Sequence, residues 1–420
     1  TYIHNYNGGS ISININWGTN ATLVLSGFSD PLPGTNGVGA DNLIINSTDI
    51  SINFDFPFAW DTQWQTITFA NTNGYEFKFI ESSQETHEIT ADIVIEPNGQ
   101  LRIPERGRVE ITGSLTNNAG STGLLLDSGP TGTASLIYDG TGIEATVKQV
   151  FSADRWYLVS IPFGDTETYD YRNGTNDAFM RPYLSPGDGW GDYYGQPSVV
   201  LNVGEGYELW QTAPFTFEES GTLLTGDYNL PIAAGGTVHP DWNFLGNPYP
   251  CGIDWGQVAD RTNVIGSSFY VYNGSGYLTH NGTTGSVDGI NPPASSGIIP
   301  PMQGFFVKHN GGTSIGINNS HKAHAGKPIY KKGMNQETYS NHFKIKAATA
   351  TAESVCVIYQ QEEATNGTDD LYDAPILFNN DPNFMEVFSL AGERRSCITI
   401  YNAYPFDVFL GFRVPEGGDE

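Results

Sequence analysis

The chain has 420 residues, of which 50 are Gly and 24 are Pro, and its formal net charge is −27. This charge disfavours binding to DNA or RNA, because a phosphate-binding surface needs clustered Lys and Arg. No apolar run is long enough to span a bilayer. The length predicts about two to four domains, and widespread alternation of apolar with polar residues, without helical periodicity, predicts an all-β protein.

Residues 1–150 contain short strand-like runs at even spacing. The clearest are Ile93-Val94-Ile95, Leu101-Arg102-Ile103 and Val109-Glu110-Ile111. In a stacked coil, Gly and Asn tolerate the corners while inward aliphatic residues pack on the next coil. The even spacing favours an N-terminal β-solenoid or β-helix-like sheet, and an ordinary β-sandwich is the alternative.

A tryptophan motif occurs twice within residues 151–335. Trp156 and Trp242 each begin a strand that soon ends at a proline, which cannot donate to a sheet. A glycine-led strand follows each motif, starting at Gly206 and at Gly304. The repeated order predicts a duplicated unit that forms one β-sandwich, with both tryptophans in a shared apolar interior.

Residues 336–420 alternate again, after a polar connector, and predict part of a second C-terminal β-sandwich. We expect its closing strands to lie outside this sequence and the chain to be a piece of a longer precursor. Cys356 and Cys397 lie in strand-like runs of this part, and Cys251 makes the cysteine count odd. The pair is either a disulfide between neighbouring strands or two buried, small apolar residues.

An acidic and aromatic loop at residues 164–195 is the best candidate for a binding site. Its aromatic rings could stack on sugar rings while its carboxylates accept hydrogen bonds from hydroxyl groups. The candidate ligand-binding residues are Tyr169, Tyr171, Trp190, Tyr193 and Tyr194. The candidate ligands for calcium are Asp165, Asp170, Asp188 and Asp192. The alternative is a long surface loop held in place by its own aromatic residues.

Other features indicate chemistry less clearly. The loop at residues 273–301, rich in Gly, Asn, Thr and Pro, is a second candidate for glycan contact. His321 and His324 have the residue type of a zinc ligand, but their segment reads as a solvated loop without a rigid third ligand. Paired carboxylates for glycoside hydrolysis cannot be recognised from spacing in loops, so the sequence defines no catalytic site.

Three motifs together point to a known group of proteins. A stacked segment containing Ile95-Glu96-Pro97-Asn98-Gly99-Gln100-Leu101 precedes the strand Trp156-Tyr157-Leu158-Val159-Ser160-Ile161-Pro162. The run from Trp242 to Trp255 is followed by Pro301-Met302-Gln303-Gly304-Phe305-Phe306, and residues 364–374 precede Leu410-Gly411-Phe412. This combination resembles secreted or surface proteins of Bacteroidota that the type IX secretion system exports.

The resemblance implies an architecture and an extracellular location, but no reaction, because such modules occur in adhesins and also accompany enzymes. Such proteins normally end in a sorting domain that the export machinery recognises, and we find none in this sequence. No cofactor other than calcium is indicated.

The favoured prediction is a non-catalytic, adhesive or structural module at the cell surface or secreted, in contact with glycans or other surface proteins. One alternative is a polysaccharide-degrading enzyme, a lyase or glycoside hydrolase, or its ancillary domain, since β-helices often carry such sites on a strand face. Another is a subunit of a larger surface assembly or filament in which open solenoid ends stack. Two opposed carboxylates in a cleft would favour the enzyme, and exposed aromatic residues without such a cleft would favour the binding module.

Overall fold

The computed structural model has 48% of its residues in strands and 6% in helices. It describes residues 1–5, 17–29, 39–79, 85–130, 132–174, 177–272, 276–283, 285, 297–324, 342–348, 353–377, 384–402 and 407–414. A β-solenoid of about five turns forms the N-terminal part and further sheets follow it, which confirms the predicted all-β class.

The solenoid contains the first strands of the chain. They are β1 (Tyr2–His4), β2 (Thr22–Leu25), β3 (Asn42–Asn46), β4 (Phe54–Asp55), β5 (Thr66–Asn71), β6 (Phe77–Lys78), β7 (His87–Ile89), β8 (Asp92–Asn98), β9 (Leu101–Ile103), β10 (Arg108–Ile111), β11 (Leu115–Asn117), β12 (Leu124–Leu126), β13 (Ser135–Tyr138) and β14 (Glu144–Phe151). A short helix, α1 (Trp60–Gln63), and a 3-10 turn, Gly120–Gly123, lie between strands.

These strands stack in parallel into three sheets, so each coil of the chain contributes to more than one side. The strand orders are β1-β2-β3-β5-β8-β11, then β4-β6-β9-β12-β14, and β7-β10-β13. In the first sheet, Ile67 pairs with Leu43 on one side and Ile93 on the other. All three are fully buried. Inward aliphatic stacking of this kind excludes the sandwich alternative for this part.

The chain then forms several smaller sheets. Their strands are β15 (Arg155–Val159), β16 (Ala178–Pro182), β17 (Tyr207–Gln211), β18 (Phe215–Thr222), β19 (Tyr228–Pro231), β20 (Trp242–Gly246), β21 (Gly252–Asp254), β22 (Val264–Tyr272), β23 (Tyr277–His280), β24 (Ile298–Ile299), β25 (Gly304–His309), β26 (Ser314–Ile317) and β27 (Lys322–Ala323). The 3-10 turns are Thr168–Tyr171, Ala259–Asn263 and Asn319–His321. The sheet orders are β15-β17-β16, β20-β25-β22-β23, β19-β26 and β24-β21-β27.

The solenoid is joined to this region through a shared sheet, without a break near residue 150. Strand β14 continues the second solenoid sheet and pairs antiparallel with β18 along its whole length. One apolar cluster extends from Leu23 in the solenoid to Leu209 and Phe217, whereas the sheet containing β20 packs into other clusters. The two tryptophan units therefore do not form one sandwich with a single core.

The two units nevertheless have the same internal topology. In each unit the glycine-led strand, β17 or β25, lies in the middle and pairs antiparallel with the tryptophan strand, β15 or β20. On its other side it pairs antiparallel with a strand that lies between these two in the sequence, β16 or β22. The registers agree as well, since Trp156 faces Trp210 and Trp242 faces Lys308, each at the fourth position after the glycine that leads its strand.

The units also contact each other reciprocally. The Ser160 N–H donates to Met302 O at 2.9 Å, and the Gly246 N–H, at the equivalent position, donates to Gly204 O at 2.8 Å. Both acceptor residues have left-handed φ angles, 57° for Met302 and 81° for Gly204. Equivalent positions thus exchange equivalent bonds, as across a two-fold axis in a symmetric dimer.

A substitution at this junction tests its close packing. A Cβ on Gly246 would lie 2.2 Å from Ser160 Oγ and 2.3 Å from the backbone oxygen of Glu205. We expect Gly246→Ala to lower the free energy of unfolding by about 1–3 kcal/mol, because overpacked sites force backbone shifts. Gly311→Ala is the matched control, since a Cβ there meets nothing within 4 Å. Equal urea midpoints for the two variants would contradict this packing.

The last strands form a mixed sheet. They are β28 (His342–Ala348), β29 (Glu353–Gln360), β30 (Ala374–Pro375), β31 (Glu386–Ala391), β32 (Arg394–Tyr401) and β33 (Phe409–Arg413), in the order β28-β29-β32-β31-β33 with β30 also beside β32. The predicted boundary at residue 335 lies outside the described residues. Cys251, Cys356 and Cys397 are buried free thiols, so the interpretation as small buried residues holds over the disulfide.

Candidate functional site: an exposed aromatic platform

The three-stranded sheet β15-β17-β16 has two faces of different character. Tyr157, Leu209 and Met180 lie opposite one another on its inner face and are buried against the solenoid end. Because side chains alternate along a strand, their neighbours in sequence point to the outer face. The inner face therefore holds the sheet in place. On the outer face, Leu158 is buried in the apolar cluster that contains Trp242, whereas the end of the sheet at Trp156 and Trp210 is only half-buried and is available for other contacts.

Aromatic side chains form a row across the outer face. Trp156 pairs with Trp210, and Trp210 pairs on its other side with Phe179. The Trp156 and Trp210 ring centroids are 5.0 Å apart, and the Tyr193 ring lies nearly parallel to that of Trp156 at 6.3 Å. Phe179 is 42% and Tyr193 44% exposed, while both indoles are half-buried. We call Trp156, Phe179, Tyr193 and Trp210 the aromatic platform.

An ion pair lies beside the aromatic platform, in the next row of the sheet. Arg181 Nε donates to Glu208 Oε2, and the two residues face each other in register. The Arg181 guanidinium carbon is 4.8 Å from the Tyr193 ring centroid and 5.8 Å from that of Trp156. Burial raises the pKa of Glu208, although Arg181 acts in the opposite direction. The guanidinium thus holds the rings in position through cation–π contacts.

The equivalent face of the second unit is covered by another part of the chain. Trp242 is buried in a cluster with Val357 and Ile398 of the C-terminal sheet. Its ring centroid is 4.9 Å from that of Tyr270, whose hydroxyl donates to Pro375 O at 2.7 Å. The predicted shared interior for the two tryptophans is therefore wrong, because a folded module covers Trp242 while Trp156 remains half-exposed.

The predicted aromatic residues are divided between platform, rim and core. Tyr193 belongs to the aromatic platform. Trp190 is half-buried, with its ring edge-on to Tyr183 and Phe244, and Arg181 also lies over it. It supports the rim of the platform.

The three tyrosines that remain lie elsewhere. Tyr171 is fully buried and stacks on Phe217 at 4.6 Å, so it belongs to the core and not to a binding surface. Tyr169 is half-buried beneath the guanidinium of Arg172, at 4.4 Å. Tyr194 is half-buried, and its ring is directed at Tyr207 on the inner side of the sheet.

The four predicted calcium ligands do not converge on one point. Asp170 accepts from the Glu167 N–H at 2.7 Å within a capping box, and its pKa is raised by burial and by the neighbouring charges of Glu167 and Asp165. Asp188 accepts from the Thr237 N–H at 2.8 Å. Asp192 is exposed and directly precedes Tyr193 of the aromatic platform. In the described part of the chain, no three His, Cys, Asp or Glu side chains are grouped so that they could hold a metal ion.

The other predicted features lie away from the platform. His321 Nδ1 accepts from the Asn318 N–H at 3.3 Å, and His324 Nδ1 is 2.8 Å from Ser135 Oγ, so neither is a solvated loop residue. Most of the 273–301 loop lies outside the described residues.

Sequence reasoning missed Trp210, Phe179, Arg181 and Glu208. Their signal was present in the alternation of β16 and β17, because apolar residues at every second position already fill the inner face. Large aromatic residues at the intervening positions therefore indicate an outward apolar surface.

Fold and site together define an all-β protein in which a solenoid ends in a duplicated tryptophan unit with one covered and one open face. Residues 65–419 match the family described as a domain of unknown function, DUF8693, and the chain belongs to that family. No curated protein and no solved structure matches the chain. Among the described residues, no helix has the length and apolar character needed to cross a membrane.

Proposed function

We propose that the protein is a non-catalytic, adhesive module at the cell surface or secreted, and that it binds glycans on the aromatic platform. The observation that carries this proposal is the outward row of Trp156, Trp210 and Phe179, with Tyr193 beside it. Contiguous exposed apolar surface of this kind marks an interaction site. The equivalent surface of the second unit is covered by another module of the same chain.

The chemistry of the surface favours a sugar over an aliphatic or nucleic-acid partner. The electron-rich face of an aromatic ring attracts the weakly positive C–H groups of a pyranose. Exposed acids, such as Asp192 at the end of the adjoining loop, can accept hydrogen bonds from hydroxyl groups. The net charge of −27 disfavours a polyanion such as a nucleic acid.

The platform supports binding better than hydrolysis. A glycoside hydrolase needs two carboxyl groups on opposite sides of the scissile bond, one of them free to transfer a proton. Glu208, the carboxyl group on this face of the sheet, is bound to Arg181 and is only partly exposed. The enzyme alternative is therefore tested together with binding.

Export by the type IX secretion system is part of the same proposal. It is supported by the resemblance of the tryptophan motifs and the stacked segment to exported proteins of Bacteroidota. Calcium is included in the test below only as a condition that is varied, because the acidic loop residues do not meet at one point.

A glycan-array screen with and without calcium, combined with an assay for released reducing ends, tests the function. We expect binding without release, and we expect Trp210→Ala to weaken binding of the best glycan at least about tenfold, because truncating a central aromatic contact costs about 2 kcal/mol. Phe409→Ala is the matched control, since Phe409 is an aromatic residue 71% exposed on β33.

Three results would contradict the proposal. Release of reducing or unsaturated sugars would establish the enzyme alternative. Equal loss of binding in both variants would show that the aromatic platform is not the binding site. Binding only to proteins, and to no glycan, would contradict the proposed ligand.

A further inference from the structure

A second group of polar residues lies on the third solenoid sheet, apart from the aromatic platform. Arg108 begins β10 and pairs in register with Ser135 of β13. Its neighbour Val109 points into the solenoid core, so the Arg108 side chain lies on the outer face of the sheet. It is nevertheless only 8% exposed. The guanidinium is thus buried between the solenoid and the segments packed on its outside.

The Arg108 guanidinium lacks a counter-charge in the described part of the protein. Its Nε and Nη2 atoms are both buried, and neither has a hydrogen-bond partner. The pKa of Arg108 is lowered by burial and by the positive charge of Arg106. A buried, unpaired cation costs several kcal/mol, so such groups are normally paired. Arg102, by contrast, donates to both Glu76 and Asp127.

His324 lies close enough to this guanidinium for the charge of Arg108 to act on its ring. Its Nδ1 lies 2.8 Å from Ser135 Oγ, on the residue that pairs with Arg108. The Nε2 atom is buried without a hydrogen-bond partner. Burial and the charge of Arg108 lower the pKa of His324 to about 3, so the ring is neutral. When Ser135 donates to Nδ1, the ring proton is on Nε2, where it is available to a ligand.

We propose that Arg108 and His324 form a binding site for one tetrahedral oxyanion, a phosphate or sulfate group. The Nε–H and Nη2–H groups lie on one edge of the guanidinium and match two oxygen atoms of such an anion. The His324 Nε2–H donates to a third oxygen. Binding supplies the missing negative charge and satisfies the three buried donors. The site is independent of glycan binding on the platform.

Titration calorimetry of the whole chain in chloride buffer, with sodium phosphate and separately with sodium sulfate, tests the site. We expect saturable binding of one anion per chain, weakened at least about tenfold in Arg108→Met, because hydrogen bonds to charged groups contribute about 1.5–3 kcal/mol. Arg102→Met is the matched control and should leave the affinity for the anion unchanged. The anion that binds more tightly shows whether the site is built for a phosphate or for a sulfate group.

A second variant covers the case in which Arg108→Met does not fold. Arg108→Lys keeps the positive charge but lacks the paired edge of the guanidinium, and it should also bind phosphate more weakly than the native chain. The absence of saturable binding of either anion to the native chain at millimolar concentration would overturn the proposal. Equal affinities of the native chain and the Arg108 variants would do the same.

Discussion

Replacement of Trp255 by alanine is expected to destabilise the central region by about 3–5 kcal/mol, the usual cost of truncating a buried large aromatic residue. Trp255 is fully buried, and its ring packs edge-on against Phe269 and Phe305, with centroid distances of 5.7 and 6.0 Å. Its Nε1–H donates to Ser267 O at 2.6 Å. Alanine would leave both a cavity and a carbonyl oxygen without its donor.

Urea denaturation combined with hydrogen exchange of β22 measures this loss. Trp255→Phe separates the two causes, because it retains most of the ring volume and removes only the indole donor. Trp210→Ala is the contrasting substitution on the half-exposed platform, where we expect a much smaller change in stability. If Trp255→Ala left the urea midpoint and the exchange of β22 unchanged, the buried position of this ring would be refuted.

Acid is expected to destabilise the same region through His280. This residue is buried, and its Nδ1 accepts from the N–H groups of Gly282 at 3.0 Å and Gly297 at 3.1 Å. Both bonds require an unprotonated Nδ1. Burial, with a smaller contribution from the charge of Lys344, lowers the pKa of His280 from its ordinary 6.5 to about 3.

The direction in which pH changes the stability follows from proton binding to residue 280. Between pH 6.5 and pH 3 the unfolded chain binds the proton at residue 280 and the folded chain does not, so stability is full above pH 6.5 and falls as the pH decreases. The slope approaches about 1.4 kcal/mol per pH unit for one such group. Asp373 acts in the opposite direction, because burial raises its pKa to about 6 and the folded chain takes up its proton first.

A variant isolates the contribution of His280. His280→Asn keeps an acceptor near the position of Nδ1 but does not titrate, so we expect its stability to fall less steeply between pH 6.5 and pH 4 than that of the native chain. Hydrogen exchange of β22 and β23 at several pH values provides the comparison. Parallel pH dependence in the two proteins would show that His280 is protonated equally in the folded and unfolded states.

The solenoid could be predicted from the sequence because each coil repeats the same physical requirement. Residues at every second position of a strand, such as Ile93 and Ile95, must point inward and stack on the coils before and after them. Predictions failed where the chain is less regular. Tyr157 and Trp242 of the two tryptophan strands, for example, lie in different apolar clusters and not in one shared core.

The site was less predictable because burial there depends on contacts that are distant in sequence. Trp156 and Trp242 begin the same motif, but only Trp242 is covered by the C-terminal sheet. Tyr171 lies in an acidic loop, yet a 3-10 turn directs it into the core against Phe217. No local pattern distinguishes these outcomes, whereas the outward alternation of Phe179 with Arg181 and Glu208 with Trp210 was visible in the sequence.

Ligand binding on the open face of the first tryptophan unit can be observed directly. The most direct test follows the indole N–H resonances of the eight tryptophans by NMR while the best glycan from the array is added. We expect the signals of Trp156 and Trp210 to shift during the titration, while those of the buried Trp60 and Trp255 do not. Shifts confined to other tryptophans, with Trp156 and Trp210 unchanged at saturation, would contradict binding on this face.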